Sequence, residues 1–237
     1  MTERTIKSYE AELALLDKTV AKMGGLAEHI LGMAFDSLER RDPALAQQAI
    51  AADSGLDRLE RDIEEQAIDM IARRQPVAND LRHIMAGLKI SYELERIGDL
   101  AKNIGKRAVA IGAEPYPRVL ASGLRHMADQ ASQQLKDVLD AYAERNAEIA
   151  LRVWHADEKI DGIYNSVFRE LLTYMMEDPR NIGPCTHLLF GAKNIERIGD
   201  HTTNIAETVH FLVKGDVIAE DRPKSDNTSS TLIERMT

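Results

Sequence analysis

The stretch that decides the fold is Glu-Arg-Ile-Gly-Asp-Leu-Ala-Lys-Asn-Ile at residues 95–104, which returns at residues 196–205 as Glu-Arg-Ile-Gly-Asp-His-Thr-Thr-Asn-Ile. Seven of the ten positions are identical. Around each copy, apolar residues recur at alternating steps of four and three, which is the pattern of a helix that buries one face. This repeated motif therefore predicts two related helices in a duplicated chain.

The sequence before the repeated motif is duplicated as well. Residues 36–53 align with residues 140–157 without a gap, and the later connection to the motif is three residues shorter in the second copy. Length changes of this kind fall in loops. The apolar periodicity predicts six long helices, at about residues 6–41, 43–74, 78–112, 117–145 and 147–177, with the sixth beginning between Pro179 and Pro184.

Short connections between long helices indicate antiparallel neighbours, so each copy is predicted to be a three-helix unit. We expect the first unit to cover residues 1–114 and the second residues 115–219, followed by a mobile polar tail at residues 220–237. We also expect Gly24 and Gly25 to weaken or bend the first helix, because glycine is a poor helix former.

The composition argues against several classes of protein. The net charge of −9 and the pI near 5.3 disfavour a nucleic-acid binder, which usually shows a basic stripe. The single cysteine, Cys185, excludes an internal disulfide and fits a reducing compartment. The sequence has no apolar run long enough to span a membrane and begins without a signal peptide, so we expect a soluble cytoplasmic protein.

Each copy of the repeated motif carries two acids four residues apart and an asparagine on the next turn. Side chains at this spacing lie along one stripe of a helix. Projected at about 100° per residue, the stripe points away from the apolar seam, so we expect it on the outer face of the bundle. The side chains are Glu95, Asp99 and Asn103 in the first copy, and Glu196, Asp200 and Asn204 in the second.

A second pair of acids precedes each copy, Asp53 with Asp57 and Asp157 with Asp161. If neighbouring helices are antiparallel, four carboxylates meet in each unit, and they repel one another unless a cation lies among them. Carboxylates and amides suit hard or borderline ions such as Mg²⁺, Ca²⁺, Mn²⁺ and iron. The plainer interpretation, that these pairs are solvated helix surface, is weakened by their recurrence in both units.

The duplication also distinguishes among the acids of the first unit. Glu60 and Glu64 continue the stripe of Asp53 and Asp57, but the second unit has Tyr164 and Phe168 at those positions. We therefore interpret the two glutamates as surface charge. Within the repeated motif, the shared glycines Gly98 and Gly199 indicate close approach of a neighbouring helix.

The chain resembles the PhoU family, the accessory proteins of phosphate-specific transport systems. The resemblance extends to about residue 215 and is carried by both Glu-Arg-Ile-Gly-Asp stretches, the Asp-x-x-x-Asp pairs, Arg-Gln-Pro at 74–76 and Glu-Asp-Pro-Arg at 177–180. It implies an all-α fold of two tandem three-helix bundles related by pseudo-two-fold symmetry. It also implies that the paired acids hold divalent or trivalent metal ions in multinuclear clusters, with iron, zinc, manganese and magnesium as the candidates. The implied ligands are Asp53, Asp57, Glu95, Asp99, Asp157, Asp161, Glu196 and Asp200.

The function that this resemblance implies is regulation rather than catalysis. PhoU proteins are negative regulators of phosphate uptake and of the phosphate-starvation response. As a member, the chain is expected to be a cytoplasmic adaptor between the ATPase subunit of the phosphate ABC transporter and a sensor histidine kinase. It is further expected to form a homodimer, to bind no nucleic acid and to meet the membrane only through its partners.

Two other hypotheses compete with the metal-binding adaptor. A metal-dependent phosphohydrolase on the same acids would need histidines beside both sets, but His201 is aligned with Leu100 in the first unit. No P-loop, dinucleotide-binding glycine pattern or nucleophile elbow is present in the sequence. The third hypothesis is a helical scaffold that binds no metal.

Overall fold

The chain folds into an array of α-helices, and the computed structural model describes residues 3–112, 118–220 and 222. Within these ranges there is no strand. The helices are α1 (Glu3–Arg40), α2 (Pro43–Ala52), α3 (Ser54–Arg74), α4 (Asn79–Ile111), α5 (Arg118–Glu144), α6 (Ala147–Glu177) and α7 (Ile182–Lys214), and a 3₁₀ turn at Pro179–Asn181 precedes α7.

The helices form two three-helix bundles that lie side by side. Helices α1 and α4 pack with the α2–α3 pair in the first bundle, and α5, α6 and α7 pack together in the second. Helix α7 lies antiparallel to α4, since Arg82 near the start of α4 lies over Phe211 near the end of α7. The buried apolar side chains form one continuous core across both bundles. The predicted all-α fold of tandem bundles is therefore confirmed.

The two bundles begin their second helix in the same way. Asp42 accepts hydrogen bonds from the backbone N–H groups of Ala44 and Leu45 and so caps α2, with Pro43 in the first helical position. Asn146, its counterpart, caps α6 through two backbone N–H groups. The residue before each cap adopts a left-handed conformation, with φ of 54° at Arg41 and 53° at Arg145. The duplication thus preserves the corner as well as the helices.

The structure differs from the predicted helices at two places. The helix predicted at residues 43–74 is interrupted at Asp53, between α2 and α3, although Asp53 keeps an α-helical φ of −55° and ψ of −38°. Gly24 and Gly25 do not interrupt α1. A Cβ on Gly24 would lie 2.7 Å from Leu139 Cδ2 of α5, so this glycine allows the second bundle to pack closely against α1.

Nowhere in the described helices does an apolar stretch reach the length needed to cross a bilayer. Most of the predicted tail, residues 221 and 223–237, lies outside the described part of the chain.

Candidate metal centres

The first acidic cluster comprises Asp53, Asp57, Glu95 and Asp99, where the α2–α3 junction meets the middle of α4. The ammonium of Lys102 joins two of these acids. Its Nζ lies 2.5 Å from Asp53 Oδ2 and 2.6 Å from Asp99 Oδ1. The structure therefore brings acids from two separate stretches of sequence onto a single positive charge.

The negative charge of Glu95 is less well compensated by positive side chains than the charges of Asp53 and Asp99. Burial and the adjacent charge of Asp99 raise the pKa of Glu95 to about 6, against the opposing charge of Arg96. Its Oε2 atom is buried and accepts no hydrogen bond from any residue that the structure describes. Burial also disfavours the charged form of Asp99, but the hydrogen bond from Lys102 outweighs it and lowers the Asp99 pKa. Asp99 is thus compensated by Lys102, whereas Glu95 Oε2 lies 3.4 Å from Arg96 Nε without accepting a hydrogen bond from the described residues.

The second acidic cluster comprises Asp157 and Asp161 on α6 with Glu196 and Asp200 on α7. Arg222, from beyond the end of α7, bridges the two helices. Its Nε lies 3.0 Å from Asp157 Oδ2 and its Nη2 lies 2.7 Å from Asp200 Oδ1. The structure again places two of the predicted acids, Asp157 and Asp200, on one cation of the chain itself.

Burial dominates the electrostatics of the second cluster. It raises the pKa of Asp157 despite the charge of Arg222, and the pKa of Glu196 despite the charge of Lys193. Lys193 Nζ lies 2.9 Å from Glu196 Oε2, yet this contact is an ion pair without hydrogen-bond geometry. The equivalent oxygens of Glu95 and Glu196 are therefore both buried without a hydrogen bond among the described residues.

The shared glycines of the repeated motif set the helix spacing at both clusters. A Cβ on Gly98 would overlap Leu56 Cδ1 and lie 3.3 Å from Asp53 Oδ1. A Cβ on Gly199 would lie 3.0 Å from Ile160 Cδ1 and 3.5 Å from Asp157 Oδ1. Each glycine thus brings the motif helix against the helix that carries the aspartates, as the sequence predicts.

The predicted outward position of the acids is only partly right. Glu95 and Asp99 are half-buried, but Asp157, Asp161 and Glu196 are only 2%, 4% and 5% exposed. Asp53 is buried too. A helical projection gives the direction of a side chain relative to the apolar face of its own helix. It contains no information on neighbouring helices, and here a neighbouring helix covers the acidic side chains.

The side chains of both clusters offer the oxygen donors that hard cations prefer, but the described structure does not arrange them around an ion. Within the described ranges, no three His, Cys, Asp or Glu side chains are arranged to hold a metal ion. Lys102 and Arg222 lie between the aspartates instead. The buried, unbonded oxygens of Glu95 and Glu196 are nevertheless the kind of donor that hard ions prefer. Metal binding by the eight acids stays a prediction.

The sequence reasoning missed both bridging cations. Lys102 is in the repeated motif, at one of the three positions where the copies differ, because Thr203 replaces it in the second unit. The replacement of Lys102 by Thr203 in an otherwise repeated motif was the sequence signal that could have identified this lysine. Arg222 had no such signal, since it lies in a segment that only the fold brings back to the cluster. Glu60, interpreted as surface charge, is half-buried, and its charge contributes to the raised pKa of Glu95.

A further set of polar contacts joins the second cluster to the first bundle. His201 Nδ1 lies 2.6 Å from Glu93 Oε2, and the Asn204 amide donates to the same oxygen at 3.1 Å. His201 is therefore half-buried and paired with α4, not a free surface histidine. In the first unit, the Asn103 amide oxygen lies 3.4 Å from Lys106 Nζ instead.

Comparison with protein families identifies the chain. The PhoU domain model matches it twice, at residues 20–108 and 124–209, once in each half. The chain belongs to the PhoU family. Among relatives, the phosphate-specific transport system accessory protein PhoU homolog of Rhizobium meliloti (strain 1021) is 53% identical over 225 residues, covering 95% of each chain. The protein of the same description from Caulobacter vibrioides (strain NA1000 / CB15N) is 52% identical over 226 residues, covering 95% of this chain and 98% of its own.

Solved PhoU structures share the fold. PhoU from Pseudomonas aeruginosa superimposes with a TM-score of 0.83 at 39% identity, covering 88% of this chain and all of its own. The phosphate transport system regulatory protein PhoU from Streptococcus pneumoniae gives a TM-score of 0.82 at 25% identity, covering 89% of this chain and 99% of its own. The PhoU relatives are named as accessory proteins and not as enzymes, which removes support from the phosphohydrolase hypothesis.

Proposed function

We propose that this PhoU-family chain is a negative regulator of phosphate uptake and of the phosphate-starvation response. It acts in the cytoplasm as a metal-binding adaptor between the ATPase subunit of the phosphate ABC transporter and a sensor histidine kinase. The observation that carries the proposal is the 53% identity over 95% of both chains with a phosphate-specific transport system accessory protein. Similarity over the full length, rather than at one motif, supports a shared role in that system.

The acidic clusters support the metal-binding part of the proposal. Each cluster places four carboxylates on adjacent elements of one bundle and includes a buried glutamate oxygen that accepts no hydrogen bond from the described residues. Hard ions would be held by Asp53, Asp57, Glu95 and Asp99 in the first cluster and by Asp157, Asp161, Glu196 and Asp200 in the second. A bound ion would neutralise acids from neighbouring helices and so stiffen the surface offered to a partner.

The regulatory role is tested in a deletion strain. We expect loss of the gene to leave the phosphate-starvation genes expressed in phosphate-replete medium, and we expect the wild-type chain to restore repression. Affinity purification from phosphate-replete and phosphate-starved cells should recover the transporter ATPase subunit and the kinase preferentially when phosphate is plentiful. Normal repression in the deletion strain would refute the proposed function.

Metal content separates the metal-binding adaptor from a metal-free scaffold. We expect elemental analysis of the purified chain to find metal that is lost in the double variant Asp99→Ala/Asp200→Ala. The control is Asp69→Ala, which removes an exposed acid of α3 that is paired with Arg73. Equal, near-zero metal in all three proteins would favour the scaffold. The proposed homodimer is tested separately by light scattering on the same preparations.

A further inference from the structure

The two acidic clusters obtain their counter-charge from different parts of the chain. In the first cluster, Lys102 belongs to α4 itself, so displacing its ammonium requires only a side-chain rotation and moves no segment of the chain. In the second, the equivalent residue is Thr203, which is buried and donates its hydroxyl hydrogen to Gly199 O at 3.0 Å. The positive charge between Asp157 and Asp200 comes from Arg222 instead.

Arg222 is held by several contacts at once. Its Nη2 lies 2.9 Å from Asp157 Oδ2 and 2.7 Å from Asp200 Oδ1, its Nε donates to Asp157, and its Nη1 lies 3.4 Å from the amide oxygen of Asn204. Its side chain is only 18% exposed. A planar guanidinium that contacts two carboxylates is a favourable pairing, so this contact anchors the segment that carries it.

The path of the chain after α7 explains why Arg222 reaches the cluster. Gly215, in a left-handed conformation with φ of 87°, ends the helix. Asp200 lies 14 residues before Lys214, a distance of about 21 Å along a helix at ~1.5 Å per residue. The eight residues from Gly215 to Arg222 span at most about 28 Å when extended. The C-terminal segment, residues 215–222, is therefore long enough to turn back to the cluster, with little slack.

We propose that Arg222 is a displaceable internal counter-cation of the second acidic cluster, so that a metal ion and the C-terminal segment bind there in competition. The guanidinium uses the oxygens of Asp157 and Asp200 that the ion would need. A metal ion that loads the second cluster therefore releases the segment, whereas loading of the first cluster releases none. This inference rests on the metal binding proposed above, and it assigns to the second cluster a conformational response that the first lacks.

Competition makes a quantitative prediction for the affinity of the second cluster. A site that is filled by an internal ligand binds metal more weakly by the factor needed to displace that ligand. We expect Arg222→Gln to tighten Mn²⁺ binding by about tenfold, the effect of losing one well-formed charged contact. The matched control is Lys224→Gln, which makes the same change of charge two residues along the chain. Both changes are made in an Asp99→Asn background that weakens the first cluster, and Mn²⁺ is titrated by calorimetry.

The position of the segment is followed independently by hydrogen exchange of the peptide spanning residues 215–222. Without metal, we expect faster exchange in Arg222→Gln than in the wild type or in Lys224→Gln. Saturating Mn²⁺ should raise exchange in the wild type to the level of Arg222→Gln. Circular dichroism of each variant establishes that the helices remain folded.

The outcomes separate this inference from the proposed function. If Mn²⁺ binds equally to Arg222→Gln and Lys224→Gln, or leaves exchange of the segment unchanged, the competition is refuted while metal binding stands. If no variant binds Mn²⁺, the metal-binding function fails and the competition fails with it. Tighter Mn²⁺ binding together with metal-induced release of the segment supports the inference.

Discussion

The residue at position 102 determines whether a positive charge of the chain lies between the acids of the first cluster. Lys102 bridges Asp53 and Asp99, whereas its counterpart Thr203 donates a hydrogen bond to Gly199 O of its own helix. The Asp53 side chain is 8% exposed, so loss of the lysine leaves a buried charge without its closest counter-charge. Such a loss costs free energy in the absence of another cation and creates room for one.

We therefore expect Lys102→Thr to lower the free energy of unfolding by about 1–3 kcal/mol in metal-free buffer, given that Lys102 is partly exposed. Saturating Mn²⁺ should recover much of that loss, since it supplies the missing positive charge. Urea denaturation with and without Mn²⁺ measures both effects. Lys106→Thr is the control, because this exposed lysine contacts the amide oxygen of Asn103 on the same helix and forms no ion pair with the residues that the structure describes. Equal stability of Lys102→Thr and Lys106→Thr would contradict a bridging role for Lys102.

At the scale of the helices, Gly98 and Gly25 differ in how closely neighbouring helices pack against them. Comparing the two glycines tests whether the close packing at Gly98 positions α4. Gly98 faces Leu56 and Asp53 of the neighbouring helices, and a Cβ there would overlap Leu56. A Cβ on Gly25, in the middle of α1, would meet no described heavy atom within 4 Å other than those of the adjacent backbone of its own helix. The first glycine therefore maintains an interhelical contact, whereas the second contributes only the flexibility of its backbone.

We expect Gly98→Ala to destabilise the chain by about 1 kcal/mol, because overpacking of about 1–3 kcal/mol exceeds the gain of up to ~1 kcal/mol in helix propensity. Gly25→Ala should instead stabilise it by about 0.5–1 kcal/mol. Thermal and urea unfolding of the pair provide the comparison. A stabilising Gly98→Ala would show that Leu56 moves aside and that the close approach of the helices is not needed.

At the scale of the whole molecule, one polar network joins the two bundles. Asp17 of α1 accepts hydrogen bonds from the hydroxyl of Tyr142 at 2.6 Å and from Arg145 Nη2 at 2.7 Å. His83 of α4 lies 2.7 Å from Asp17 through its Nε2. Burial alone would raise the pKa of Asp17, but the hydrogen bonds with His83 and Tyr142 and the charge of Arg145 lower it to about 2.

A carboxyl whose pKa is lower in the folded state stabilises the fold above its unfolded pKa. For Asp17, that contribution is complete above about pH 4 and is lost as the pH falls toward 2. We expect Asp17→Asn to lower the unfolding free energy by about 1–2 kcal/mol at pH 7, reduced by the partial exposure of the site. The difference from the wild type should shrink as the pH falls below 4 in a series of urea titrations.

The control for this network is Asp69→Asn, which removes one acid of an exposed pair on α3 and should change stability by less than about 0.5 kcal/mol. A difference between Asp17→Asn and the wild type that stays constant from pH 7 to pH 3 would show that the carboxylate charge is not what joins the bundles.

The sequence by itself determined what depends on nearby residues and on the duplication. The apolar periodicity around the repeated motif and the acid pairs within it are short-range patterns, and the structure reproduces the helices that the periodicity predicts. The glycine at position 98 was also readable, because both copies retain it. The all-α tandem bundle therefore followed from periodicity, the internal duplication and the family resemblance.

Only the tertiary structure decided the surroundings of the repeated motif. Burial of Asp157 and the contact of Lys102 with Asp53 each depend on a neighbouring element, whose position no projection of a single helix contains. The contact of Arg222 depends on the chain turning back after Gly215. Charges far apart in sequence meet because the packed core fixes where the helices lie, and the core is a property of the whole fold.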